Sequence, residues 1–226
     1  MTRFLPILLA LAYAGIMLAL SVWRTQKVLN ERSTPLTERR LLSDLAPLAR
    51  ALDLPRIDLR VYEMPEINAL AAPDGRIYLT RGLVRAWAAG QISGPEIASV
   101  VAHELGHLSM GHLRRRMIDF TGQNAVFVVL TAVLSRWLPF IGVWIANLIS
   151  TAVMARLSRR DEFEADEFAA ALMVKAGLGT APQRRLLAKL GDLSAQAIAG
   201  PDWLRSHPPI PERIAAIEAA EARWGG

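Results

Sequence analysis

The chain has 226 residues, with 26 Lys plus Arg against 21 Asp plus Glu and no cysteine. That length supports one domain with a substantial core, and the missing thiols exclude disulfides and thiolate zinc sites, leaving His, Asp and Glu to hold any metal. The net charge of +5 does not point to nucleic acid: clusters such as Arg114 to Arg116 flank apolar runs rather than aromatic platforms, the pattern of a segment facing lipid headgroups.

An uncharged run from Phe4 to Trp23 opens the chain. As a helix it rises about 30 Å, enough to cross a bilayer core, and we read residues 1–27 as a retained membrane anchor. A cleaved signal peptide is the alternative, with Ala19 to Ser21 a passable cleavage site. Arg24, Lys27, Arg32, Arg39 and Arg40 follow the run and only Arg3 precedes it, which places the bulk of the chain on the cytoplasmic side. "ERSTPL" reads as a juxtamembrane linker. From Thr37 to Leu52, Leu41, Leu42, Leu45, Leu48 and Leu52 recur at helical spacing behind a candidate cap at Thr37. "RIDLRVYEM" alternates Ile57, Leu59 and Val61 against Asp58, Arg60 and Tyr62, as a half-buried strand does. Asn68–Ala72 and Arg76–Thr80 flank a Pro73-Asp74-Gly75 turn and predict a hairpin.

A short helix is expected after Thr80. A mostly apolar, hence buried, helix follows, with Ser93 or Gly94 near its cap, Pro95 in its first turn and Glu96 at its positive end. It contains "VAHELGHLSMGH", Val101 to His112. Between Met117 and Leu157 the chain turns apolar again, split by Arg136, and we read about 120–156 as a membrane hairpin. A soluble helical hairpin is the other reading. A helix from Arg159 to Ala176, another from about Thr180, a proline-rich loop and a final helix beginning near Pro211 complete the order.

His103 and His107 are four apart, so on a helix both imidazoles reach one ion from the same face. A catalytic zinc takes three protein ligands and leaves a position open. Glu104, beside them but not a ligand, can take a proton from water activated there and pass it to a leaving amine. A third histidine ten places beyond the first is absent, because that position is Leu113. His112 falls one place short and reads as a structural or surface residue. The third ligand should then be a carboxylate on another helix, and "DEFEAD" offers Asp161, Glu162, Glu164 and Asp166, followed by Glu167. Glu162 and Asp166 share a helical face. One can bind metal while the other accepts the second N–H of a ligating histidine.

Three elements in order, "HELGH", "SRRDEFEAD" and "SHPPIPERI", resemble the HtpX and CAAX prenyl protease branch of the M48 zinc metallopeptidases, over roughly Leu36 to Ile217. The resemblance implies Glu162 as third zinc ligand, Asp166 behind it, His207 as oxyanion donor, Arg213 as organiser of the site, and Asn68 and Ala69 as holders of the substrate backbone. It also implies a membrane hairpin between the zinc helix and the third ligand. Members usually carry two anchors ahead of the catalytic domain, whereas this chain has room for one, so its amino terminus would start outside.

The expectation is therefore an α+β fold: a mostly helical, gluzincin-like domain over residues 36–226 with a small antiparallel sheet, attached to a membrane. It would bind one Zn2+ and hydrolyse peptide bonds in membrane or misfolded proteins. A non-proteolytic membrane scaffold is the rival. The expected partners are protein or peptide substrates and the lipid bilayer, not nucleic acid. The expected location is a bacterial-type inner membrane with the domain in the cytoplasm, or, alternatively, an exported or periplasmic one.

Overall fold

The computed structural model describes residues 5–72, 74–112, 127, 130–131, 133–139, 141–196 and 208–224. In chain order these form α1 (Leu5–Glu31), β1 (Ser33–Pro35), α2 (Arg39–Ala51), β2 (Leu59–Tyr62), β3 (Ala69–Ala71), β4 (Ile77–Thr80) and α3 (Arg81–Ala88). Then come α4 (Gly94–Ser109), α5 (Gly142–Lys175), α6 (Ala181–Gln196) and α7 (Ile210–Trp224). The architecture is α+β and mostly helical.

The sheet order is β1-β2-β4-β3. β1 pairs antiparallel with β2, and β3 antiparallel with β4, but β2 and β4 are parallel. The sheet is thus mixed, not antiparallel throughout. The chain leaves β2, runs out to the sheet margin as β3, and hairpins back into the space beside β2, which forces β4 into the same direction as β2. The hairpin turn has Gly75 at φ 85, a value that side chains rarely tolerate; Pro73 lies outside the described residues. The expected linker contributes a strand, since Ser33 to Pro35 pair with Tyr62 to Arg60 and Arg60 Nε donates to Ser33 Oγ at 2.9 Å.

Alternation decides the faces of β2: Leu59 and Val61 are buried, Arg60 and Tyr62 less so. With Ile77 and Leu79 of β4 they meet Leu41, Leu45 and Leu48 of α2 and Ile97, Val101 and Ala102 of α4 in one core. Thr80 ends β4 and caps α3, its Oγ1 accepting from Leu83 N at 3.3 Å. α2 starts at Arg39 after Glu38, not at a Thr37 cap.

α4 is the buried helix expected. Glu96 in its first turn reaches back to accept from the Ser93 N–H at 2.7 Å. Glu96 is 1% exposed, and Lys189 of α6, with Nζ at 2.8 Å, neutralises it. α4 packs most extensively on α5. Gly106 makes that contact close, because a Cβ there would stand 3.1 Å from both the Cα and the carbonyl oxygen of Ala165.

α5 unites two expected segments in one helix of 34 residues. No glycine or proline interrupts residues 143–175, so Arg156, Arg159 and Arg160 change its polarity without breaking it. Its first half leaves Trp144 and Leu148 exposed at 74% and 69%, next to Trp137 and Ile141 at 78% and 57%; its second half buries one face, with Glu162, Ala165, Asp166 and Ala169, in the domain. The expected hairpin is described only in part, with 113–126, including Arg114 to Arg116, outside the described residues. Among the described residues no helix is long and apolar enough to cross a membrane. The carboxyl end of α1 rests on the sheet: Leu29 packs with Ala72 and Tyr78, Gln26 bonds to Asp74, and Arg76 Nη1 donates to Asn30 Oδ1 at 2.8 Å.

Candidate metal centre

The helical spacing of His103 and His107 puts both rings on the α4 face that meets α5. Their Nε2 atoms are 3.1 Å apart. Glu162 of α5 completes the group: one carboxylate oxygen lies 3.3 Å from His103 Nε2 and the other 3.6 Å from His107 Nε2. Ligand atoms about 2.1 Å from a tetrahedral zinc stand about 3.4 Å from one another, close to the Nε2 pair and to each histidine's approach to Glu162, with a different oxygen facing each ring. Two imidazole lone pairs facing each other across such a gap repel unless a cation lies between them. The donor set and its spacing fit zinc.

A second layer sets the charge. Asp166, one turn beyond Glu162, has Oδ1 2.9 Å from His103 Nδ1. Arg213 of α7 grips the same carboxylate with two bonds, Nε to Oδ2 at 2.6 Å and Nη2 to Oδ1 at 2.7 Å. All are buried: Asp166 is 1% exposed, Arg213 4% and Glu162 1%. Burial opposes ionisation of Asp166, but the Arg213 guanidinium outweighs it and holds the carboxyl at about 2. An ionised carboxylate only accepts, so His103 Nδ1 donates and its Nε2 lone pair points to the ligand position. Burial likewise resists a charge on His103, yet Asp166 and Glu162 raise it to about 9. The carboxylates demand positive charge at this point.

Glu104 lies on the α4 face beside His103, lining an open cleft of about 110 Å³. Asn68 and Ala69 line that cleft, as do Gln183, Leu186, Leu187 and Leu190 of α6. Asn68 is anchored through Thr80, whose Oγ1 accepts from the Asn68 N–H at 2.9 Å. β3, which begins at Ala69, is the terminal strand of the sheet. The structure therefore brings together His103, His107, Glu162, Asp166 and Arg213, with Glu104, Asn68 and Ala69 on the adjoining cleft. His207 lies outside the described residues.

Sequence reasoning missed His112. Projected along a continuing helix it points elsewhere, but α4 ends at Ser109 and Gly111 adopts φ 66, swinging the chain back. His112 is fully buried, with Nδ1 2.9 Å from His107 Nδ1 and Nε2 3.1 Å from Glu164 Oε2. Only the glycine before it hinted at the turn. Gln183 was missed too: its Nε2 donates to the Asp166 carbonyl at 3.2 Å and it lines the cleft, without any pattern in the sequence to mark it.

The model of peptidase family M48 matches residues 35–221 of the chain. The metalloprotease LoiP of Escherichia coli strain K12 is 28% identical over 137 residues, 61% of this chain and 52% of LoiP, so the chain spans about half of that relative's length. An HtpX protease homologue of Methylacidiphilum infernorum isolate V4 is 26% identical over 90% of this chain and 80% of its own. The mitochondrial metalloendopeptidase OMA1 of Arabidopsis thaliana is 31% identical over 67% of this chain and 29% of its own.

Proposed function

The chain belongs to peptidase family M48 and is a metallopeptidase; we propose that it is a zinc-dependent endopeptidase in which His103, His107 and Glu162 hold one Zn2+. The observation that carries this reading is the triangle of two Nε2 atoms and a carboxylate at 3.1, 3.3 and 3.6 Å, with Glu104 on the cleft beside it. When bound, zinc supplies Lewis-acid activation of water and of the scissile carbonyl. Glu104 takes the proton of the attacking water and returns it to the leaving amine nitrogen. Asp166 orients His103, and Arg213 keeps Asp166 ionised. A helix bearing both histidines and a second helix bearing the carboxylate ligand form the gluzincin-like core we assign to residues 36–226.

The substrate enters as an added strand along the outer edge of β3, with Asn68 and Ala69 beside its backbone. The leucines at 83, 186, 187 and 190 shape the cleft for an apolar side chain. His207 serves as oxyanion donor on the resemblance of "SHPPIPERI" alone.

We place the enzyme at a membrane, with α1 and the first half of α5 as its attachment. Exposed Ile16, Leu20 and Trp23 on α1, and Trp137, Ile141, Trp144 and Leu148 around the start of α5, support this reading, since apolar surface of this kind favours lipid over water. Membrane or misfolded proteins are then the substrates. The charge pattern favours a cytoplasmic domain on a bacterial-type inner membrane, with export as the alternative.

Glu104→Gln tests the mechanism. It preserves volume and leaves the three ligands in place, so zinc content should stay near one per chain while turnover of an unfolded protein substrate falls roughly 10²–10⁴-fold. Near-wild-type turnover with zinc bound would show that Glu104 is not the base. A non-proteolytic scaffold would retain its function in this variant.

A further inference from the structure

His112 is fully buried, contacts His107 directly, and has no part in the mechanism above. We propose that His112, held by Glu164, selects the metal-binding tautomer of His107. The inference rests on His107 being a zinc ligand through Nε2.

A neutral imidazole carries one N–H, and the nitrogen opposite it bears the lone pair. His112 Nε2 faces Glu164 Oε2 at 3.1 Å, with Asp161 Oδ1 at 3.8 Å on the same side. Arg160 Nε donates to the other oxygen of Glu164 at 2.7 Å, so that carboxylate is paired as an anion. An anionic carboxylate only accepts. It therefore draws the His112 proton onto Nε2 and leaves Nδ1 as a lone pair. That lone pair lies 2.9 Å from His107 Nδ1, and a short N···N contact requires one donor. His107 must supply it, so its proton sits on Nδ1 and its Nε2 lone pair faces His103 Nε2 and Glu162. The opposite arrangement, with His112 donating, would put the proton on His107 Nε2 and close the site to metal.

The two ligand histidines are thus oriented by different devices. His103 hands its N–H straight to a carboxylate, Asp166, which Arg213 holds. His107 hands its N–H to a second imidazole, and Glu164 stands behind that ring. The imidazole stands between His107 and the Glu164 carboxylate, and Gly111, at φ 66, lets the chain deliver it.

His112, Asp161 and Glu164 also have donor atoms within 4.8 Å of one another. A second cation there is the less favoured reading, because the Arg160 guanidinium already neutralises Glu164. It would also leave the His107 contact unexplained.

The test uses the full chain in detergent, with zinc affinity measured by chelator competition. His112→Leu fills the space without an acceptor and should weaken zinc binding about 10–100-fold. His112→Asn places an amide oxygen near the lost Nδ1 and should bind zinc within about threefold of wild type. Equal losses in the two variants, or none in His112→Leu, would overturn the proposal. The chain has 4 histidines, so long-range 15N–1H spectra of the zinc-loaded wild type resolve each ring. We expect His107 protonated at Nδ1 and His112 at Nε2 only; the reverse pattern sinks the idea even where His112→Leu does not fold. Two tightly held zinc ions per wild-type chain would make the three residues a ligand set instead. A wild-type chain that binds no zinc defeats the metal reading itself and this inference with it, whereas a zinc-binding wild type with an indifferent His112→Leu defeats the inference alone.

Discussion

Arg213→Met removes the charge that neutralises Asp166 while keeping most of the aliphatic stem. In the wild type the guanidinium makes two bonds at 2.6 and 2.7 Å to a carboxylate that is 1% exposed. Taking one partner from such a pair costs about 3–5 kcal/mol, because the remaining charge stays buried without its counterion. At roughly 2–4 °C per kcal/mol for a chain of this size, the melting temperature should drop by roughly 6–20 °C at pH 7. The pH dependence has a definite sign. Wild-type Asp166, held at about 2 against an ordinary 3.8, contributes stability that is present above pH 3.8 and is lost as pH falls toward 2. Without Arg213, burial dominates and the carboxyl rises, so the variant's deficit should be largest at neutral pH and shrink on acidification through the carboxylate range. Zinc affinity should fall as well, since Asp166 loses the two guanidinium bonds that fix its carboxylate against His103 Nδ1. Scanning calorimetry from pH 7 downward, with zinc competition at pH 7, measures both effects. A loss below about 2 °C at neutral pH with unchanged zinc affinity would refute the reasoning.

Gly106→Ala gains roughly 0.5–1 kcal/mol of helix propensity but puts a methyl 3.1 Å from the Ala165 backbone, a collision between helices that typically costs about 1–3 kcal/mol. Because α5 carries Glu162, the expected readout is a several-fold weaker zinc affinity with a melting temperature lowered by roughly 0–10 °C, from a net loss of about 0–2.5 kcal/mol; unchanged affinity would show slack between the helices. Trp144→Gln together with Leu148→Gln should weaken binding of the full chain to zwitterionic vesicles and leave peptide hydrolysis in detergent intact. Undiminished vesicle binding in a co-sedimentation assay would remove this face from the membrane contact.

Local signals were enough to read much of this protein. The i, i+4 pair His103 and His107, the Ser93–Glu96 start of their helix and the hairpin turn at Gly75 each act over a few residues, so the sequence alone determined them. The acidic segment after Arg160 could be narrowed to Glu162 and Asp166 as residues of one helical face, and it is that face which α5 turns toward α4. Other features depended on distance in the chain and were settled by tertiary structure. β4 lies parallel to β2 because β3 takes the margin, a competition among strands that alternation within any one of them does not encode. The 34-residue α5 joined segments of different polarity because helix continuity depends on backbone propensity, while the change in polarity reflects which surroundings each half meets. His112 shows the limit most clearly. Helical projection fails once Gly111 reverses the backbone, and only the packing of α4 on α5 brings Glu164, His112 and His107 into line.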